Sequence, residues 1–120
     1  MSSPRNIKIL LVGDDLRLLR RRVPPLVAIG AEVVISHPRE LETHVGNERF
    51  DLAVLCYTLS DVARRTATEH AHRRWPRIKL LQIFRHADDV ASIGCPLDAH
   101  VLDLADELAV QAQALISRAA

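Results

Sequence analysis

At 120 residues and 48% hydrophobic content, the chain can bury a core without metal or disulfide staples and reads as one domain over 1–120. A net charge of +1 with 26% charged residues neither favours nor excludes nucleic acid, and 3% aromatics leave the core to aliphatic side chains. No apolar run approaches the ~20 residues of a membrane span, and Met1 to Arg5 is a short polar lead-in unlike a signal peptide, so the expectation is a cytoplasmic protein without a membrane partner.

Ile7 to Val12 is a continuous apolar run, the pattern of a strand buried on both faces, and it stops at Gly13-Asp14-Asp15. Leu16, Leu19, Val23 and Leu26 then recur at helical spacing, with Asp14 or Asp15 placed to cap the helix. Pro24-Pro25 predicts a kink or break near Val23, since a proline in a helix interior costs ~3 kcal/mol, and Gly30 closes the element. Glu32 to Ser36 predicts the second strand. Pro38 opens a short helix over Arg39 to Val45 that Gly46 ends.

Asp51 to Tyr57 predicts a third, central strand, and Ser60 or Asp61 caps a helix that runs to about Arg74, where Trp75-Pro76 stops it. Ile78 to Phe84 is the fourth strand, Ala87 to Ser92 a short fourth helix, and Ala99 to Leu102 the fifth strand. Leu104, Leu108, Ala112 and Leu115 form the inward stripe of a closing helix. Strands alternating with helices require parallel pairing through right-handed crossovers, so the expected fold is a three-layer, doubly wound α/β domain. In such a sheet, ligands and chemistry gather at the carboxyl ends of the strands.

KILLVGDD at Lys8 to Asp15 is similar to an ILLVDDD-type first strand, and FDLAVLCY at Phe50 to Tyr57 to an FDLVLLDx third strand. IKLLQIFR at Ile78 to Arg85 resembles a fourth strand ending in threonine or serine, and Gly94 to Leu104 a segment ending in lysine-proline. Together these resemble the receiver domain of two-component response regulators, over about Asn6 to Ala119. The resemblance implies a flavodoxin-like fold of five parallel strands in the order 2-1-3-4-5.

It also implies a phosphorylation site, and there the residues depart from the family. Of the two adjacent acids that hold magnesium, the first is replaced by Gly13; Asp14 stands at the second, and Asp15 follows. Cys56 occupies the position of the phospho-accepting aspartate, Phe84 that of the hydroxyl residue, Asp103 that of the lysine and Leu104 that of the proline. Aspartyl phosphorylation needs a carboxylate nucleophile, a divalent ion on oxygen ligands and a cation opposite the phosphoryl charge. Cysteine forms no acyl phosphate and is a poor magnesium ligand. Asp103 places negative charge where the transferred group needs positive. The expectation is therefore no ordinary phosphotransfer, no catalytic residue, no cofactor and at most a weak residual metal site at Asp14 and Asp15, which otherwise cap a helix.

Arg85 directly follows the fourth strand and is a candidate to reach Asp14 or Asp103 as an ion pair in place of metal. Cys56 has two readings, a packing cysteine or a sensing thiol, and the latter needs an electropositive setting. Cys95 is expected at the opposite end of the sheet, beyond disulfide reach of Cys56. Six histidines show no zinc spacing and read as solvated or core residues. Arginines cluster at 17, 20, 21 and 22 and again at 64, 65, 73, 74 and 77, on helices that the receiver order puts on opposite sides of the sheet. They form no single stripe with interleaved aromatics, so solvated faces or acidic protein partners are favoured over nucleic acid.

The function expected from the resemblance is a degenerate, stand-alone receiver domain, with no output domain after Ala120, that signals by phosphorylation-independent binding to a protein partner or by self-association. The interface expected lies around Ala87 to Ser92 and Leu104 to Ile116, the face of the fourth helix, fifth strand and closing helix. The alternative is a ligand or redox sensor at the crevice of Gly13, Asp14, Cys56 and Arg85. A third reading is a phosphoacceptor using a displaced acid, Asp14 or Asp61.

Overall fold

The computed structural model describes residues 7–43, 49–85, 98–102 and 107–119. Strands β1 (Ile7–Val12), β2 (Ala31–Ser36), β3 (Leu52–Leu55), β4 (Lys79–Phe84) and β5 (Ala99–Leu102) pair in parallel in the order β2-β1-β3-β4-β5. Helices α1 (Leu16–Ala28), α2 (Pro38–Thr43), α3 (Asp61–Arg74) and α4 (Glu107–Ala119) cover its two faces. This is the doubly wound architecture, in the strand order that the resemblance implied.

Alternation along the strands divides the apolar residues between two cores. Ile9, Leu11, Leu52, Val54, Cys56, Leu81 and Ile83 face Leu19 and Leu26 of α1 and Leu108, Ala112 and Leu115 of α4. Leu10, Val12, Ala53, Leu55 and Leu80 face Leu41 of α2 and Ala67 and Ala71 of α3, together with Phe50 and Trp75. The Phe50 and Trp75 rings meet edge to face at 5.0 Å, the arrangement that the aromatic quadrupole favours.

Register is fixed at the amino edge of the sheet by two aspartates. Asp51 accepts from the Lys8 backbone N–H at 3.0 Å through its side chain and donates its own N–H to the Lys8 carbonyl at 2.9 Å. Asp98 repeats this with Leu80, at 2.7 and 3.0 Å. Each carboxylate supplies the acceptor that its strand's backbone lacks at that edge, and each stands immediately before a strand.

Helix α1 corrects one expectation. It runs unbroken through Pro24 and Pro25 to Ala28, where Gly30 (φ 90°) ends it by donating to the Val27 carbonyl. The prolines remove N–H donors to the carbonyls of Arg20 and Arg21, but both arginines are exposed, so solvent can stand in for the missing donors. Leu19 and Leu26 anchor the helix in the core on either side of the prolines, so the expected break does not occur. Strand β3 is also shorter than predicted, ending at Leu55, so Cys56 and Tyr57 fall in the loop that leads to α3. The predicted helix at Ala87 to Ser92, Cys95, Asp103 and Leu104 lie outside the described residues.

Candidate functional site

The carboxyl edge of the sheet brings together the loops after β1, β3 and β4. The Gly13 N–H donates to the Ser36 carbonyl and the Cys56 N–H to the Val12 carbonyl, extending the ladder by one residue past β1 and β3. Gly13 and Cys56 are thereby set side by side. A Cβ on Gly13 would lie 2.7 Å from Leu19 Cδ2 and 3.1 Å from Cys56 Cβ. The space that a first acid would enter is already filled, by a leucine of α1 and by the cysteine itself. Cys56 is fully buried.

The two acids after Gly13 have separate employment. Asp15 is the N-cap of α1, its Oδ1 accepting from the N–H groups of Arg17 at 3.1 Å and Leu18 at 3.5 Å. Asp14 accepts from Thr58 Oγ1 at 2.5 Å, a bond that ties the loop after β1 to the loop after β3. Thr58 was not singled out from sequence. Its signal was weak, a hydroxyl two residues past the acceptor position.

The magnesium implied by the resemblance needs an oxygen-rich, nearly octahedral set. The residues present do not fit one. Gly13 brings no oxygen, Cys56 brings sulfur, Asp15 is turned to the helix backbone and Asp14 to Thr58. No three His, Cys, Asp or Glu side chains converge on a metal position among the described residues. Asp61, the other displaced acid, pairs with Arg64 one turn along α3.

Arg85 does not pair with Asp14. Its guanidinium carbon lies 6.0 Å from the centre of the Tyr57 ring, and that of Arg22 lies 5.7 Å from the same ring. Arg22 also departs from the solvated arginine face expected of the first helix, being only 8% exposed. Its position three residues after Leu19 places it on the inward side of α1, where the stem packs and the planar head reaches an aromatic face. Asp103, the other acid considered for Arg85, is outside the described residues.

On the opposite side of β4, Leu80, Gln82 and Phe84 share the face turned to α3. Gln82 is 1% exposed, and its Nε2 donates to the carbonyls of Cys56 at 3.3 Å and Ile83 at 2.8 Å. A polar side chain here interrupts the apolar run Leu80 to Phe84 and reaches the backbone at the acceptor position. Phe84, at the place of the family's hydroxyl, is buried and offers no donor.

No family model and no curated protein matches the sequence. Solved structures do match the fold. A CheY-like response regulator receiver domain protein from Methanospirillum hungatei JF-1 is 24% identical, with a TM-score of 0.73 over 96% of this chain and 97% of its own. A response regulator from Thermotoga maritima is 15% identical, with a TM-score of 0.77 over 94% and 99%. The signal receiver domain of an HD domain-containing protein from Pseudomonas fluorescens Pf-5 is 14% identical, with a TM-score of 0.75 over 96% and 98%. At these identities the likeness is one of fold, and it spans almost the whole of each chain.

Proposed function

We propose that this chain, whose fold is that of CheY-like receiver domains, is a degenerate receiver that signals without phosphorylation, by binding a protein partner. The observation that carries this reading is the packing at Gly13. The missing acid is accompanied by Leu19 and Cys56 in the volume it would need, so two core residues already occupy the place of its side chain. The loss extends to Asp14, which is held by Thr58, and to Phe84, which supplies no hydroxyl. A carboxylate acceptor, a hard-metal site and a hydroxyl switch are thus absent together from the described residues of this edge.

On this reading the chain is not an enzyme and uses no cofactor, and it acts in the cytoplasm, as the receiver fold suggests. The partner surface proposed is the face of β5 and α4, through which self-association would also run; the Ala87 to Ser92 part of the expected interface lies outside the described residues. Val110 of α4, 62% exposed, offers apolar surface for such a contact. Intact mass after incubation with magnesium and acetyl phosphate tests the central point. The expected result is an unchanged mass; an added phosphoryl group, on Asp14, Asp61 or elsewhere, would overturn the reading.

The sensing alternative meets an obstacle at Cys56. A thiol that is 0% exposed and packed against Gly13 and Leu19 is out of reach of an oxidant in the folded state.

A further inference from the structure

The aromatic contact at the amino edge of the sheet is bordered by arginine. Phe50 and Trp75 are buried and meet at 5.0 Å, and three stretches of chain set cations beside them. Arg49 precedes Phe50, Arg73 and Arg74 precede Trp75, and Arg77 follows in the turn to β4; all four are exposed. Lys79, half-buried, opens β4 next to them.

Backbone contacts hold these stretches together. The Trp75 N–H donates to the Ala71 carbonyl at 2.7 Å, and the Ile78 N–H to the Trp75 carbonyl at 3.0 Å, which closes a tight turn over Pro76 and Arg77. The Lys79 N–H donates to the Asp51 carbonyl at 3.2 Å and so lays this turn against the segment that carries Arg49. Proline fixes a dihedral in the turn, so the cations stand on backbone that needs no ordering when something binds.

The charge of this edge is not balanced locally. Asp51 is the only acid in the stretches 49–51 and 73–79, and its carboxylate accepts from the Lys8 N–H. Arg49, Arg73 and Arg77 enter no ion pair among the described residues, nor does Glu69, one turn before Arg73; Lys8 pairs with Glu32 and Arg64 with Asp61. The negative end of the α3 dipole favours Arg73 and Arg74 in its last turn. It does not account for Arg49 and Arg77, which lie outside the helix and add like charge to the same place.

We infer that this edge docks an acidic segment of a protein partner. The arginine fork takes carboxylates in bidentate pairs, and its weak hydration suits it to an interface. Nucleic acid fits less well on two counts. Both aromatic rings are buried, so no base has a surface to stack on, and a net charge of +1 supplies no general field to collect a polyanion. The surface lies on the α3 side of the sheet, across from α4, and is distinct from the β5 and α4 face. It holds or fails apart from the phosphorylation test.

The test is a titration of the ¹⁵N-labelled full chain with capped hexaglutamate at low salt, beside a deoxythymidine heptamer carrying the same number of charges. The expected result is saturable shifts at the Arg49, Arg73 and Arg77 amides and the Trp75 indole N–H, with the peptide binding at least threefold tighter than the oligonucleotide. Arg73→Glu with Arg77→Glu should weaken the peptide at least tenfold. Arg17→Glu with Arg21→Glu, the same charge change on the exposed face of α1, should weaken it less than threefold. Absence of saturable shifts, an oligonucleotide bound as tightly as the peptide, shifts confined to α1, or equal losses in the two double variants would overturn the surface. The two probes are compared on the unaltered protein, so that arm decides even if a variant fails to fold.

Discussion

Gly13→Ala is the sharpest probe of how the altered edge is held. The added methyl would stand 2.7 Å from Leu19 Cδ2 and 3.1 Å from Cys56 Cβ, where carbon atoms settle at ~3.5–4.0 Å. Leu19 is 2% exposed and sits in a full core, so its side chain has little room to withdraw. Overpacking of this kind costs about 1–3 kcal/mol. Gly13 is not in the left-handed region, so alanine also recovers ~0.4–1 kcal/mol by restricting the unfolded chain. The net expectation is a loss of about 0–2.6 kcal/mol.

Urea unfolding followed by the fluorescence of Trp75, the only tryptophan, reads this directly. The decisive measurement is a double-mutant cycle with Leu19→Ala, which alone should cost ~2–5 kcal/mol. In that background the methyl enters vacated space, so the two changes should couple by at least about 1 kcal/mol. If Gly13→Ala raises the unfolding midpoint, or has the same effect in both backgrounds, the account of a filled acid position is wrong.

Two further expectations follow from the same edge. Asp15→Ala should cost about 1 kcal/mol through loss of the α1 cap, whereas Asp14→Ala should match Thr58→Val, each losing one exposed bond of about 0.5–1.5 kcal/mol. Chemical denaturation of the three variants checks this, and an Asp14→Ala effect well outside that of Thr58→Val, or no effect of Asp15→Ala, would refute the assignment of tether or cap. In a Cys95→Ser background, Cys56 should react with an aromatic disulfide reagent only at the rate at which the core opens, so labelling should accelerate with urea in step with unfolding. Rapid labelling in native buffer would show the thiol to be reachable and revive the sensing alternative.

The layout of the fold was legible because buried parallel strands are written as predominantly apolar runs. Ile7 to Val12 and Ile78 to Phe84 read as strands despite Lys8, Lys79 and Gln82, and each helix cap was narrowed to two neighbours, of which Asp15 and Ser60 are the ones used. The misreading at Pro24-Pro25 has a physical cause: proline removes donors, but on a solvent-facing stretch the orphaned carbonyls have water, and packing at Leu19 and Leu26 overrides local propensity. At the site, sequence identified which positions had changed but not what replaced them. That Leu19 fills the place of an acid, that Arg22 turns inward to Tyr57, and that Gln82 braces the Cys56 carbonyl are relations between distant segments. No pattern within a single element encodes them.

The two aspartates at the amino edge have a consequence for how this chain tolerates change. Asp51 and Asp98 clamp β1 to β3 and β4 to β5 at the end of the sheet remote from Gly13, Cys56 and Phe84. A strand slipped by one residue would exchange the two cores, and these clamps oppose that slip without help from the carboxyl edge. Substitutions at the carboxyl edge therefore fall on residues that carry little of the alignment. The carboxyl edge can therefore change residue by residue while the sheet stays in frame.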